Sequence, residues 1–395
     1  MMEDKIRTIG IVNATHSSRS GGGFHYIMTL IAGLVKESDL KVIVFYDDPA
    51  FPDLCSPSQR LSLVRLEGNE SVFTKFVRGI STLAAIRSGL LGRFRVIREH
   101  DIDLLISFDS LIGFHLGIPF LSFVGDIMYK YYPSLPEYSL RRRMVRDLSV
   151  RMLIRHAEYT AVDSEESKKD LIKFFHADPL RLRPIPLCAP PHVYRYANDS
   201  MVKGDDFVAG RRLPQNFLFY PAQFWSHKNH ENLVRALHLI RQKKGVEIPV
   251  VFVGSAWDSY EKVQSVLREL NMVHLVHCLG YLAEAEVVAL YRKATALVFA
   301  SFADYTSIPI VEAMVLGKPI VCANVFSLPE QAGSAAIYFD PFDIDDIAEK
   351  VHRIWIDASL RTELSANGRA RSGDFSPEKF AGNWLALVRE SLQHI

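Results

Sequence analysis

Two carboxylates, Asp304 and Glu312, frame the stretch Tyr305-Thr-Ser-Ile-Pro-Ile-Val311, which lies between the apolar run Ala296-Leu-Val-Phe-Ala300 and the helix stop Leu316-Gly-Lys-Pro319. Ser307 reads as the cap of a helix whose first turn holds Ile308 and Pro309, so Glu312 falls about one turn in, where unpaired N–H groups and the helix dipole attract anions. Such an end could hold a phosphate. A carboxylate at Glu312 could accept two hydrogen bonds from a vicinal diol such as a ribose, and Asp304 in the preceding loop could reach a sugar hydroxyl. The same spacing also fits an ordinary strand–loop–helix crossover with solvated acids.

Elements able to position these groups recur along the chain. Apolar runs Ile9–Val12, Val42–Phe45, Leu104–Ile106, Phe120–Phe123 and Tyr159–Val162 alternate with helical patterns in the first half, and Phe217–Tyr220, Val250–Val253, Leu275–Cys278, Ala296–Phe299 and Ile320–Cys322 do so in the second. Strands spaced by helices predict parallel sheets covered on both faces, hence an α/β chain of two Rossmann-like domains with ligands beyond the carboxyl ends of the strands. The stretch from Ala189-Pro-Pro191 to Arg211-Arg-Leu-Pro214 has the prolines, glycines and weak periodicity of a linker. The expected division is 1–195, 196–375 and a last helix over 376–395. That helix starts at Ser376-Pro377 and gathers Phe380, Trp384, Leu387, Val388 and Leu392 on one face, which must dock on a partner surface.

Composition narrows the class. A chain of 395 residues exceeds one ordinary core, 48% hydrophobic and 23% charged residues describe a globular protein, and a net charge of +1 gives no general attraction to polyanions. Cys55, Cys188, Cys278 and Cys322 form no Cys-x-x-Cys pair, which argues against a zinc site and for a reducing compartment. The N-terminus lacks a signal-peptide pattern and no run approaches the ~18 apolar residues of a membrane span, so a cytoplasmic location is expected. Gly21-Gly22-Gly23 does not give the Gly-x-Gly-x-x-Gly spacing of a nicotinamide site.

Taken together, several segments resemble glycosyltransferase family 4. Asp304 to Glu312 resembles its Glu-x7-Glu element, and Glu312-Ala-Met-Val-Leu-Gly-Lys-Pro-Ile-Val321 the pattern that follows. Tyr220-Pro-Ala-Gln-Phe-Trp-Ser-His-Lys228 is similar to its Gly-Arg-x4-Lys segment, with Ala222 and Gln223 replacing glycine and arginine. Gly21-Gly22 before a helix resembles its glycine pair, Asp126 in Phe123-Val-Gly-Asp126 its His-Asp pair with Gly125 for histidine, and Val162-Asp-Ser-Glu-Glu-Ser-Lys168 its strand-then-serine segment. The closing segment is matched by Ser327-Leu-Pro-Glu330 through Pro341.

The resemblance implies the GT-B architecture, two Rossmann-like domains facing across a cleft, with the last helix returning to the first domain. It further implies a retaining, metal-independent transferase that moves a sugar from a nucleoside diphosphate donor to a hydroxyl acceptor in polysaccharide or glycan assembly, with no cofactor. Lys228, the N–H groups around Thr306, Ser307 and Ile308, and Gly21-Gly22 would face the donor phosphates, with Gln223 beside them. Glu312 would take the ribose, Leu282 would lie where the base is held, and Asp126 and Asp304 are the catalytic candidates. Asp126 would orient hydroxyls or remove the acceptor's proton, unless it caps the next segment. The Asp-x-Asp pairs Asp101/Asp103 and Asp343/Asp345 are not read as metal ligands, because the first precedes its strand and the second suits a helix's first turn. His16, His25, His227 and His230 are given no catalytic role.

The acceptor is the least specified partner. Arg141-Arg-Arg143, Arg146, Arg151 and Arg155 interleave with Met144, Val145, Leu148, Met152 and Leu153, and Arg93 and Arg95 follow Leu90-Leu91. A helix so built suits either ordinary packing with a solvated arginine face or peripheral contact with an anionic inner membrane face, where a lipid-linked acceptor would lie. Two other functions fit the same scaffold, a nucleotide-sugar epimerase and a non-catalytic sugar- or nucleotide-binding protein. The substitutions at Gln223, Asp304 and Gly125 speak for the latter.

Overall fold

The computed structural model describes residues 6–13, 22–55, 57–66, 95–108, 116–197 and 210–395. The chain divides into two compact units, one of residues 1–186 with 377–395 and one of 187–376. Gly21, His16, Arg93 and residues 198–209 of the expected linker lie outside the described residues.

In the first unit β1 (Arg7–Asn13), β2 (Leu40–Tyr46), β3 (Leu61–Arg65), β4 (Leu104–Ser107), β5 (Phe120–Val124), β6 (Tyr159–Val162) and β7 (Leu182–Pro184) form a sheet in the order β3-β2-β1-β4-β5-β6-β7, each pairing parallel. The apolar runs are buried on both faces, as continuous Val/Ile/Leu strands of a doubly wound sheet must be. Helix α1 (Gly22–Leu34) follows β1. Helix α2 (Leu140–His156) is capped by Ser139, whose hydroxyl accepts from Arg142 N–H, and Ser164 caps α3 (Glu165–Phe175) in the same way from Ser167 N–H. Asp103 is tied to β1, accepting from Thr8 N–H at 2.7 Å and from Arg7 at 2.9 Å.

The second unit repeats the plan with β8 (Leu218–Pro221), β9 (Val250–Val253), β10 (Val276–Cys278), β11 (Ala296–Phe299), β12 (Ile320–Ala323) and β13 (Ala336–Phe339), ordered β10-β9-β8-β11-β12-β13 and parallel throughout. Strand order reverses between β8 and β11, which opens a crevice at their carboxyl ends. Its helices include α4 (Pro191–Ala197), α5 (His230–Lys244), α6 (Glu284–Lys293), α7 (Ile308–Val315), α8 (Leu328–Ala332) and α9 (Ile344–Ile356). Helix α4 lies where the sequence reads as linker. Asp343 caps α9, accepting from the N–H groups of Asp345 and Asp346, which is the first-turn role expected of that acidic pair.

The last helix, α10 (Pro377–Gln393), belongs to the first unit and packs along α1. Trp384 is fully buried and its indole N–H donates to the Tyr26 hydroxyl at 3.0 Å. A Cβ on Gly33 would lie 2.4 Å from that of Ala381, so the two helices meet only because Gly33 has no side chain.

Candidate functional site

The loops after β8 and β11 carry the charged residues of the site, and they meet because these two strands are neighbours. After β8 the chain turns through a 3₁₀ segment, Ser226–Lys228, and ends it with Asn229 at φ 60°. Asn229 holds that left-handed turn by donating to the carbonyls of Ala300 (3.2 Å) and Pro341 (2.8 Å). Ser301 Oγ and Phe302 N–H both donate to His227 O at 3.0 Å, Tyr220 donates to Lys228 O at 2.7 Å, and Asp258 accepts from Ser226 N–H and Oγ. The turn is thus fixed from both flanking strands.

Lys228 Nζ lies 2.6 Å from Asp304 Oδ2, with both side chains largely buried, and stands 5.4 Å from the Phe299 ring centre. The sequence places these two residues at one site, and the structure makes them a pair. An ammonium group has three donors, so Lys228 can keep Asp304 and still meet a second anion.

Ser307 departs from expectation. It precedes α7 with extended backbone, but its side chain makes no cap hydrogen bond, and its N–H donates to Gln331 Oε1 at 2.8 Å. Gln331 arrives from α8, one crossover later, and takes a dipole that the sequence assigns to phosphate. The N–H groups of Ile308 and its successors remain the helix's anion-facing end, with Pro309 in the first turn.

Glu312 is 8% exposed. Burial pushes its carboxyl up to about 7; the Tyr291 hydroxyl pulls against that shift and the Glu284 charge adds to it. His192 of α4 sits between the two acids, Nε2 at 4.0 Å from Glu312 and Nδ1 at 3.2 Å from Glu284, and Tyr291 donates to Pro309 O at 3.1 Å. None of His192, Glu284, Tyr291 or Gln331 is marked by the sequence, since each reaches the site from a distant element without a local motif.

The remaining candidates are placed as follows. Gln223 is exposed and accepts from Trp225 Nε1 at 2.9 Å, while Trp225 stacks on Trp257 with ring centres 4.4 Å apart. Leu282 is buried in the core, and Tyr281 beside it is 81% exposed. Thr306 lies in the loop before α7 and Gly22 opens α1. Asp126, in the first unit, accepts from Met128 N–H at 3.2 Å and from Arg146 at 2.9 Å, while the N-cap position of the following 3₁₀ turn is Ile127. His230 is sealed between Tyr220 and Phe224, and burial holds its imidazole down at about 3, a neutral packing group. Gly254, not singled out by the sequence, passes so close to the β8 loop that a Cβ would lie 2.4 Å from Ala222 O.

Comparison with known proteins bears on this arrangement. Residues 203–371, the stretch holding Lys228, Asp304 and Glu312, match the family model described as glycosyl transferases group 1. Over 98% of its length the chain superposes on all of a sucrose-phosphate synthase from Thermosynechococcus elongatus, with a TM-score of 0.77 at 18% identity. The fold is GT-B. Anabaena Alr3699/HepE, solved with UDP and glucose, gives a TM-score of 0.76 at 16% identity, covering 97% of this chain and 100% of that one. In sequence, the Escherichia coli O-antigen chain mannosyltransferase B is 27% identical over 251 residues, 62% of this chain and 64% of that protein, so the chain spans less than two thirds of this relative.

Proposed function

We propose that this chain is a retaining glycosyltransferase that moves a hexose from a nucleoside diphosphate sugar to a hydroxyl of a growing glycan, free or lipid-linked, without a metal ion. The observation that carries the reading is the grouping of Lys228, Asp304, the α7 N-terminus and buried Glu312 around the β8/β11 crevice, within the stretch that matches the family model. Mannose leads the sugars to be tried, because the E. coli relative is a mannosyltransferase, and UDP is a natural first nucleotide, because HepE binds it.

In this reading the anomeric C–O bond to the diphosphate breaks, the acceptor oxygen bonds to the anomeric carbon, and the acceptor's proton leaves to a base. The charge that develops on the leaving diphosphate is met by the Lys228 ammonium and the α7 amides, in place of a cation. Asp304 then has two tasks, holding Lys228 and receiving a sugar hydroxyl. Asp126 already accepts from Met128 and Arg146, which suits orienting a hydroxyl better than shuttling a proton.

A thermal-shift screen of UDP, GDP and ADP and their hexose conjugates, followed by donor turnover with glycan acceptors, tests the proposal. One nucleotide series should raise the melting temperature, and Lys228→Ala should lower turnover by roughly 10²–10³ while the protein stays folded. Normal turnover in that variant would refute the phosphate role. Nucleotide binding with no transfer to any acceptor would favour the non-catalytic reading, for which the neutral Gln223, engaged by Trp225, is the motivating observation.

A further inference from the structure

Helix α2 carries an unusual outer face. Leu140, Met144 and Leu148, spaced four apart, are 66%, 65% and 62% exposed, whereas Val150 and Leu153 on the opposite side are buried. Arg141, Arg151 and Arg155 are exposed on the same arc, between and beside the three apolar side chains. A helix packed on its own domain normally turns apolar residues inward and charges outward, but here both kinds share the solvent side. An open groove of about 530 Å³ lies alongside, lined by Tyr129, Lys130, Arg143, Met144 and Leu148 among others. Its acid, Asp147, is already paired with Lys130 and with Arg151 (2.9 Å), so the groove presents net positive charge.

We infer that this face of α2 is a docking surface for an anionic lipid bilayer. Leucine and methionine side chains would enter the headgroup–acyl boundary while the arginines, with long apolar stems and cationic tips, stay at the phosphate level. The mixture decides the occupant. A nucleic acid would use the arginines but gain nothing from three exposed aliphatic side chains, and a second copy of the same face would set arginines against arginines. No helix among the described residues is long and apolar enough to cross a membrane, so the contact would lie in the plane of the interface. The inference does not depend on the donor reading, because α2 and the groove belong to the first unit and the candidate donor residues Lys228 and Glu312 to the second.

Co-sedimentation of the full chain with vesicles of phosphatidylcholine alone, and of equal parts phosphatidylcholine and phosphatidylglycerol, tests it. The protein should pellet with the anionic vesicles, remain in the supernatant with the neutral ones, and be released by salt. Arg141→Gln with Arg155→Gln should weaken partitioning about 30-fold, at about fivefold per charge near an anionic leaflet. Met144→Ser with Leu148→Ser should weaken it as well, with unchanged melting temperature because both side chains are exposed. Equal pelleting with both vesicle types, no pelleting with either, or wild-type partitioning of both double variants would overturn the inference. So would tight binding to a soluble polyanion, heparin, that loses with the arginine pair but not with Met144→Ser/Leu148→Ser, since that result would mark a polyanion site. Nucleotide binding, measured by thermal shift on the same variants, should be unaffected, so failure here is distinct from failure of the donor proposal.

Discussion

A carboxyl group buried as Glu312 is costs stability whenever it is ionised. Its folded pKa of about 7 stands above the ordinary 4.5. The stability it allows is therefore fully present below about pH 4.5 and is lost as pH rises through 7, a difference of about 3 kcal/mol at roughly 1.4 kcal/mol per unit. Glu312→Gln should consequently melt higher than the parent protein at pH 8 and no higher at pH 4.5, in paired thermal scans. The same variant should lose discrimination between a ribonucleotide and its deoxy analogue, because the diol then meets a weaker acceptor. In the parent protein that discrimination should fade below pH 7, as Glu312 takes up its proton, and titration calorimetry across pH 6–8 would show it. On the proposed function, Glu312 would lower the stability of the empty protein and pair with a diol when ligand is bound, the kind of compromise that functional sites carry.

At the scale of elements, the crevice depends on backbone fit. Gly254 follows β9 and lies against Ala222 and Gln223, and Gly254→Ala would drive a methyl into the Ala222 carbonyl. A loss of about 1–3 kcal/mol in urea unfolding is expected, together with weaker nucleotide binding, because the displaced segment leads directly into the Lys228 turn. The central strands were legible from their unbroken apolar runs, which burial on both faces demands. The strands absent from the reading, β3, β7 and β13, are all sheet edges. An edge strand is covered on fewer sides and tolerates serine, arginine and proline, as Leu61-Ser-Leu-Val-Arg65 and Leu182-Arg-Pro184 do, so its pattern fades. The site divides along similar lines. Lys228, Asp304 and Glu312 lie in local motifs that the sequence displays, whereas Gln331, Tyr291 and His192 come from other crossovers and join them through contacts that only folding creates. Ser307 shows the limit well: its neighbours spell a helix cap, but a glutamine 24 residues later claims its N–H instead.

For the whole molecule, the decisive fact is that the second unit is one continuous stretch and the first is not. Residues 187–376 expressed alone should fold cooperatively and retain nucleotide binding by thermal shift, since Lys228 and Glu312 lie within them. Residues 1–186 alone should not, because Trp384 and Phe380, which fill the groove against Tyr26, are missing. In the full chain, Trp384→Ala should destabilise the first unit by about 3–5 kcal/mol and lower its unfolding midpoint while leaving that of the second unit in place. Synthesis on the ribosome therefore runs in an inverted order. The half that is translated first must wait, with part of its apolar surface open, until the closing helix emerges, whereas the half that is translated later can be finished before it. Chaperone capture of nascent chains should accordingly concentrate on the early half and cease once the Pro377–Gln393 helix has emerged.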